Sequence, residues 1–288
     1  MIKKLLGALA MTLTCSVAFA SGVAYELDHA PDRINNMASL QNGAKLFVNN
    51  CLSCHSAVSM RYNKLKDIGL TDDEIKKNLL FSADKVGELM KIAMTHDDAK
   101  KWFGAAPPDL SVIARAKSTN MGPSGVDYVY TFLRGFYRDT SKHTGWNNAV
   151  FPNVAMPNVL WQMQGPVTYT HTQIQPAGKE GAGAEAEGEG NWERHVVTYD
   201  AQGYSQEKTE ALKNYHGGEK VEHDFKLSSA AHQAQFNNDV ADLANFLGWM
   251  AEPHQLLRKQ IGVWVLLFLG LFLIVAWRLN AAFWKHVK

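Results

Sequence analysis

The fold of this chain is decided by the stretch Cys51-Leu52-Ser53-Cys54-His55. Two thiols three positions apart match the two vinyl groups on one edge of a haem, and the histidine that follows places an imidazole under the iron. The stretch therefore predicts covalent haem attachment through Cys51 and Cys54, with His55 as one axial ligand. It occurs once in the 288 residues, which predicts one covalently bound haem c.

Three other kinds of site use a Cys-X-X-Cys pair. A disulfide between Cys51 and Cys54 is compatible with an oxidising compartment, but it leaves His55 unexplained. A thioredoxin-like redox pair needs a βαβ context, whereas the flanking sequence has helical periodicity. A structural zinc site needs a fourth ligand and normally a second paired motif. Haem attachment is the interpretation that uses all three residues.

The residues before the motif predict a helix over Ile34–Asn50, because its apolar positions recur at helical spacing. Gly43 lies within it, and a glycine there costs up to about 1 kcal/mol of helix stability. Close approach by another element would explain that glycine. The amphipathic segment Asn238–Met250 is the expected partner, and the fold class is mainly α.

The sixth iron ligand is predicted to be Met156, in the segment Phe151-Pro-Asn-Val-Ala-Met-Pro157. Two prolines restrict this segment to an extended loop, so the thioether has no helical face on which to pack. A gap-filling methionine is the alternative. Met121 and Met163 are the next candidates.

Three further helices are expected between these landmarks. The charged segment Thr71–Lys101 begins with a capping box formed by Thr71 and Glu74. After a Pro-Pro turn come a short helix at Ser111–Ala116 and an amphipathic one at Val126–Phe136.

A small β-hairpin excursion is predicted where residues alternate or are β-branched, at Val167–Ile174 and at His195–Tyr199. Between them, residues 178–190 are nearly all Gly, Ala and Glu, with too little apolar content to order themselves. They are expected to form a flexible acidic loop.

The N-terminus has the order of a secretory signal: basic Lys3 and Lys4, an apolar stretch, then Ala18-Phe19-Ala20 before the expected cleavage point. Residues 1–20 are therefore predicted to be removed. Residues 21–257 would then form an exported haem domain in the periplasm.

The C-terminus predicts one membrane-spanning helix. Ile261–Trp277 contains seventeen residues without a charge, which cover about 26 Å as a helix, and a snorkelling Arg278 extends the span to Trp284. The anchor is assigned to residues 258–284 and a short cytoplasmic tail to 285–288. Together with the signal, this predicts a single-pass protein of a bacterial inner membrane.

The exported domain has a net charge of −6 once both ends are removed. An acidic surface disfavours nucleic acid as a partner. It favours a basic soluble protein that is attracted over long range.

Beyond the haem motif, the chain resembles cytochrome c1, the haem subunit of the quinol–cytochrome c oxidoreductase or bc1 complex. An Ala-Glu-Pro segment followed by Arg-Lys-Gln and a membrane span is much more specific than the haem motif. The matching segments cover almost the whole mature chain in order: Cys51–His55, Arg61–Leu65, Pro107–Ala116, Asp127–Tyr130, Phe151–Pro157, Asp242–Pro253 and Arg258–Gly262.

The resemblance implies axial ligation of the iron by His55 and Met156. It also implies that a carbonyl of Pro107 or Pro108 orients the imidazole through its Nδ1–H.

Arg115 and Tyr128 would bond the haem propionates, which as buried carboxylates need a paired charge. The implied partners are cytochrome b, a Rieske iron–sulfur subunit as electron donor, and a basic cytochrome c as acceptor.

The expected architecture is a cytochrome c-type haem domain with a small β-hairpin excursion and one C-terminal transmembrane helix. The expected function is one-electron transfer, which needs no general acid or nucleophile because the chemistry belongs to the iron. Two alternatives remain open. One is an anchored cytochrome that feeds a terminal oxidase, and the other is a haem peroxidase or gas sensor with an open sixth site.

Overall fold

The computed structural model describes residues 25–177 and 192–285. The predicted signal, the acidic loop and most of the predicted tail lie outside these residues. The described helices are α1 (Met37–Asn50), α2 (Asp72–Asn78), α3 (His96–Phe103), α4 (Ile113–Ala116), α5 (Gly125–Arg134), α6 (Trp161–Gln164), α7 (Ala230–Ala251) and α8 (Gln255–Trp284), with a 3-10 helix at Tyr62–Ile68. The strands are β1 (Ala57–Arg61), β2 (Leu89–Met90), β3 (Phe136–Arg138), β4 (Trp146–Asn148), β5 (Val167–Pro176), β6 (Trp192–Tyr199), β7 (Ser205–Leu212) and β8 (Lys220–Leu227).

The crossing of α1 and α7 forms the centre of the domain that is predicted to carry a haem. A Cβ at Gly43 would lie 2.3 Å from the carbonyl oxygen of Asp242 and 2.6 Å from Cβ of Phe246, distances that real atoms do not reach. The rings of Phe47 and Phe246 pack at a centroid separation of 5.6 Å. The predicted close approach at Gly43 is confirmed, and only glycine fits there.

A carboxylate at this crossing is bonded from three sides. Asp242 accepts hydrogen bonds from Arg33 Nη1 at 2.7 Å, from Asn42 Nδ2 at 2.9 Å and from the Ser39 hydroxyl. These contacts join α7 to α1 and to the segment before it. A buried carboxylate keeps its charge only when such partners replace the lost water.

The first helix begins at Met37, so the expected start at Ile34 was wrong by about a turn. The side chain of Asn36 accepts from the backbone N–H of Ser39 and caps the helix. The preceding residues bond α7 instead, as Arg33 N–H donates to Asn245 Oδ1 at 2.9 Å.

The expectation of one helical segment over Thr71–Lys101 was also wrong. The capping box of Thr71 and Glu74 is present and starts α2, but that helix ends at Asn78. Strand β2 then pairs with β1 and buries Met90 completely. Tertiary pairing with β1 overrides the local helical propensity here, and helix resumes only at α3.

The β excursion is larger than a hairpin. Strands β5 and β6 pair antiparallel, as predicted, with Tyr169 opposite Tyr199. Strands β7 and β8 add to the two sides, giving the order β7-β6-β5-β8. The sheet packs on the helical domain where the rings of Tyr137 and Tyr169 stack with centroids 4.2 Å apart.

Helix α8 fits a single transmembrane anchor. Its 30 residues extend over about 45 Å at 1.5 Å per residue, longer than the ~30 Å hydrocarbon layer. Within the described ranges it is the one helix long and apolar enough to cross a membrane. Only residues 252–254 separate it from α7.

Candidate functional site: the haem-attachment segment and its surroundings

The attachment motif follows directly from the last turn of α1. Cys51 continues the helix as its C-cap and donates its backbone N–H to Phe47 at 2.8 Å. The N–H groups of Cys54 and His55 both donate to the Cys51 carbonyl, at 3.1 and 2.9 Å. This tight turn fixes the relative positions of the two thiols and the imidazole.

Both thiols are free, with no disulfide between them. Burial, and then the neighbouring Cys54, raise the pKa of the Cys51 thiol to about 12. Redox-active and metal-binding thiols need a lowered pKa, because the thiolate is the reactive form. Among the described residues, no group of three or more His, Cys, Asp or Glu is placed to hold a metal. The buried thiol thus fits an apolar thioether better than a redox pair or a zinc site.

The imidazole of His55 is oriented by a backbone carbonyl. Its Nδ1 lies 2.7 Å from the oxygen of Pro108, and a carbonyl only accepts, so Nδ1 carries the hydrogen and Nε2 remains for a metal. Of the two predicted prolines, Pro108 makes this contact. Burial lowers the pKa of His55, which favours the neutral ring that iron ligation needs.

The segment that carries Pro108 is held against the motif by further bonds. Leu110 N–H donates to the Ser56 carbonyl at 2.9 Å. Val58 N–H donates to the Asp109 carboxylate at 2.8 Å. The carbonyl that orients the imidazole is therefore itself fixed in place.

Met156 lies in an irregular loop, as predicted, and is partly buried against the core cluster that contains Cys51.

Three buried asparagines hold this loop at its two ends. Asn147 Oδ1 accepts from Asn153 N–H at 2.8 Å, and Asn148 Oδ1 accepts from the N–H groups of residues 150 and 151. On the other side, Asn158 Oδ1 accepts from Leu160 N–H at 3.0 Å.

These asparagines were missed by sequence reasoning, although asparagine is a frequent loop former because its amide bonds nearby backbone. The Asn-Asn pair at 147–148 and the asparagine after Pro157 were the available signals.

The two other candidate methionines differ in exposure. Met121 is fully exposed and has a left-handed φ of 59°, so it packs on nothing. Met163 lies on α6 and is partly buried against the core. Met156 and Met163 are therefore the candidates that reach the core cluster.

The helices that carry Arg115 and Tyr128, α4 and α5, are in contact. A Cβ at Gly125 would lie 1.6 Å from the carbonyl oxygen of Ala114, so the first residue of α5 touches the backbone of α4. Tyr128 stacks on Phe132 with ring centroids 6.0 Å apart.

Two neighbours of these residues were not anticipated. Lys117 Nζ lies 4.7 Å above the Tyr128 ring, and Arg115 Nη1 lies 3.2 Å from Glu252 Oε2. The Arg115 side chain is 61% exposed, so most of its donors remain available. Together with Lys117, it supplies the positive charge that carboxylates of a bound group require.

The residues of this region fit a c-type haem. The donor set contains two free thiols and an imidazole with Nδ1 already bonded, and two thioethers reach the core. Several partly buried apolar side chains pack on the same core and would offer a surface for an apolar ring. They are Ile113, Val126, Tyr128, Phe132, Met156, Val159 and Met163.

Comparison with known proteins points to one family. The model of the Cytochrome C1 family matches residues 31–177 and 219–287. A relative named cytochrome c1 from Allochromatium vinosum is 36% identical over 99% of this chain and 100% of its own length. The ammonia monooxygenase gamma subunit of Nitrosomonas europaea is 37% identical over 100% of this chain and 99% of its own. Cytochrome c1 of Rhodospirillum rubrum is 27% identical over 86% and 82%. The chain belongs to the cytochrome c1 family.

Proposed function

We propose that this chain carries one covalent haem c and passes single electrons from an iron–sulfur subunit to a cytochrome c, within a quinol-oxidising bc1 complex. Membership of the cytochrome c1 family supports a covalently bound c-type haem and an electron-carrier role in a bc1 complex. The observation that carries the proposal is the His55–Pro108 bond of 2.7 Å next to two free thiols. It prepares one nitrogen for an iron at a covalent attachment motif.

Cys51 and Cys54 would hold the haem, with His55 and Met156 as axial ligands. The haem iron, when bound, supplies the one-electron oxidation and reduction. Pro108 fixes the imidazole plane, and the asparagine-bonded loop fixes the thioether. Two ligands held in this way need not move when the charge on the iron changes. With both ligands bound, no position would stay open, which would favour electron transfer over a peroxidase or gas sensor.

Arg115 and Tyr128 would bond the propionates, with Lys117 adding a third positive or donating group nearby. A guanidinium presents five N–H donors in a fixed fork. One Arg115 nitrogen is engaged by Glu252, so the rest of the fork stays available for a carboxylate.

The proposed partners follow from the anchor and the charge. Cytochrome b would neighbour α8 within the bilayer, and a Rieske iron–sulfur subunit would donate electrons at the membrane surface. The haem domain, with its predicted net charge of −6, would face the periplasm and meet a basic cytochrome c.

Purification of the complex from detergent-solubilised membranes tests this function. We expect the chain to copurify with a cytochrome b and an iron–sulfur protein, and to contain one covalent haem that quinol reduces. Subunits of a terminal oxidase would contradict the proposal. So would subunits of an ammonia-oxidising monooxygenase, the activity in the name of the Nitrosomonas relative.

The rate of electron transfer to a basic cytochrome c should fall steeply as salt is added. The attraction between the acidic domain and its acceptor is largely screened beyond about 10 Å at 0.1 M salt. The measurement is the bimolecular rate of haem oxidation over a salt series. Reduction of the haem by quinol occurs within the complex and serves as the control, because it should change little. A flat or rising oxidation rate would indicate an uncharged or tethered acceptor.

A further inference from the structure

The joint between α7 and α8, residues 252–254, is short and is hydrogen-bonded to both helices. Helix α7 ends at Ala251, and the N–H of Glu252 donates to the Gly248 carbonyl at 3.2 Å. Pro253 cannot continue the helix. Gln255 N–H then donates to the Glu252 carbonyl at 3.2 Å, so backbone bonds of one residue connect the haem domain to the anchor.

The side chain of Glu252 joins two arginines from different elements. Its Oε2 lies 3.2 Å from Arg115 Nη1 on α4 and 3.1 Å from Arg258 Nη2 on α8. Its Oε1 also accepts from Arg258 Nε, which makes that pair bidentate. Glu252 is the least exposed of the three, at 21% against 61% and 62%. The Arg258 bond and the nearby charges hold the pKa of Glu252 below its usual value.

The carboxylate is needed because both of its partners are cations. With Glu252 neutralised, Arg115 and Arg258 would face each other as like charges across the joint. The two guanidinium groups would then separate, and only Pro253 and the backbone bonds of residue 252 would define the direction of α8. The charge on Glu252 therefore replaces a repulsion by two attractions.

The same carboxylate is linked to the attachment site. Arg115 lies on α4, seven residues after Pro108, whose carbonyl orients the imidazole of His55. Helix α4 also contacts α5, which carries Tyr128. A displacement of Arg115 thus reaches the proposed propionate region directly.

We propose that Glu252 is a positioning residue that fixes the direction of the membrane anchor relative to the haem, by holding Arg115 and Arg258 on one carboxylate. The proposal rests on the proposed function. It assigns a physical role to the Ala-Glu-Pro and Arg-Lys-Gln segments: the acid of the first pairs with the arginine of the second.

The test uses the full chain in its membrane complex, with Glu252→Gln, Arg258→Gln and Arg115→Gln. Tryptic cleavage after Lys259 measures the opening of the joint. We expect each variant to be cut faster, by about fivefold for Glu252→Gln, which breaks both of the exposed ion pairs at the joint. The double variant Glu252→Gln with Arg115→Gln should be no faster than Glu252→Gln alone, since both remove the same link.

The second readout is the orientation of the haem, from electron paramagnetic resonance of oxidised membranes dried as oriented layers. Arg258 lies on the anchor and not in the haem domain. The Arg258→Gln substitution should nevertheless broaden the distribution of haem angles, as should Glu252→Gln. Glu207→Gln on the exposed strand β7 loses the same charge and is the matched control. It should match the unaltered protein in both measurements.

Two results would overturn the inference: cleavage of Arg115→Gln at the rate of the unaltered protein, or an unchanged haem orientation in Arg258→Gln. Variants are compared at equal covalent haem content, because a misfolded variant is recognised by the loss of covalent haem. A chain without covalent haem in its unaltered form would instead contradict the proposed function.

Discussion

Replacing Met156 by alanine is expected to abolish the methionine–iron charge-transfer band at the red end of the spectrum and to lower the reduction potential. A thioether ligand stabilises the reduced iron and raises the potential. Without it, water or another weak ligand would take the sixth position, and the potential would fall. The measurement is the absorption spectrum of the oxidised protein together with a redox titration.

Met163→Ala and Met121→Ala are the controls for this experiment. Met163 is a partly buried core contact and Met121 is fully exposed, so both variants should keep the band. A band that persists in Met156→Ala and disappears in Met163→Ala would move the ligand to α6.

Cutting the chain after Pro253 is expected to release a soluble cytochrome with a normal spectrum that quinol can no longer reduce through the complex. The core contacts, the attachment motif and the methionine loop all lie within the residues before this cut. What is lost is the anchor, and with it Arg258 and the position of the haem near the membrane. The rate of haem reduction by quinol, in membranes that lack the full-length chain, measures the effect.

Chemical reduction of the released fragment is the control, since it should be complete and rapid. If the fragment supported quinol oxidation at the native rate, the anchor would be a passive tether. The joint formed by Glu252 would then have no role in electron transfer.

The features predicted correctly from the sequence depend on local patterns or on a single strong constraint. Thr71 and Glu74 form a capping box from residues three apart. Gly43 signalled the approach of α7 because no other residue tolerates that distance. The uncharged stretch Ile261–Trp277 identified α8.

The features that were missed depend on contacts distant in sequence. Strands β7 and β8 carry many charged residues and are held by pairing with β6 and β5, not by their own propensity. Met90 was expected on a helix, but pairing with β1 places it in a strand.

The ion pairs of Glu252 could not be predicted for the same reason, since Glu252 and Arg115 are 137 positions apart in the sequence. Nothing in the pattern around either residue indicates the other. The side-chain bonds that fix the Met156 loop were missed for a similar reason, because an amide can bond many nearby groups.

The buried thiol of Cys51 also constrains how the protein matures. The residue is only 7% exposed, so little of the sulfur can be reached from outside the folded domain. Once α1 has closed against α7, this thiol is enclosed in the core. We therefore expect the haem to be joined to a chain that is still open. Attachment would then come before folding, and the haem would form part of the core around which the two helices close.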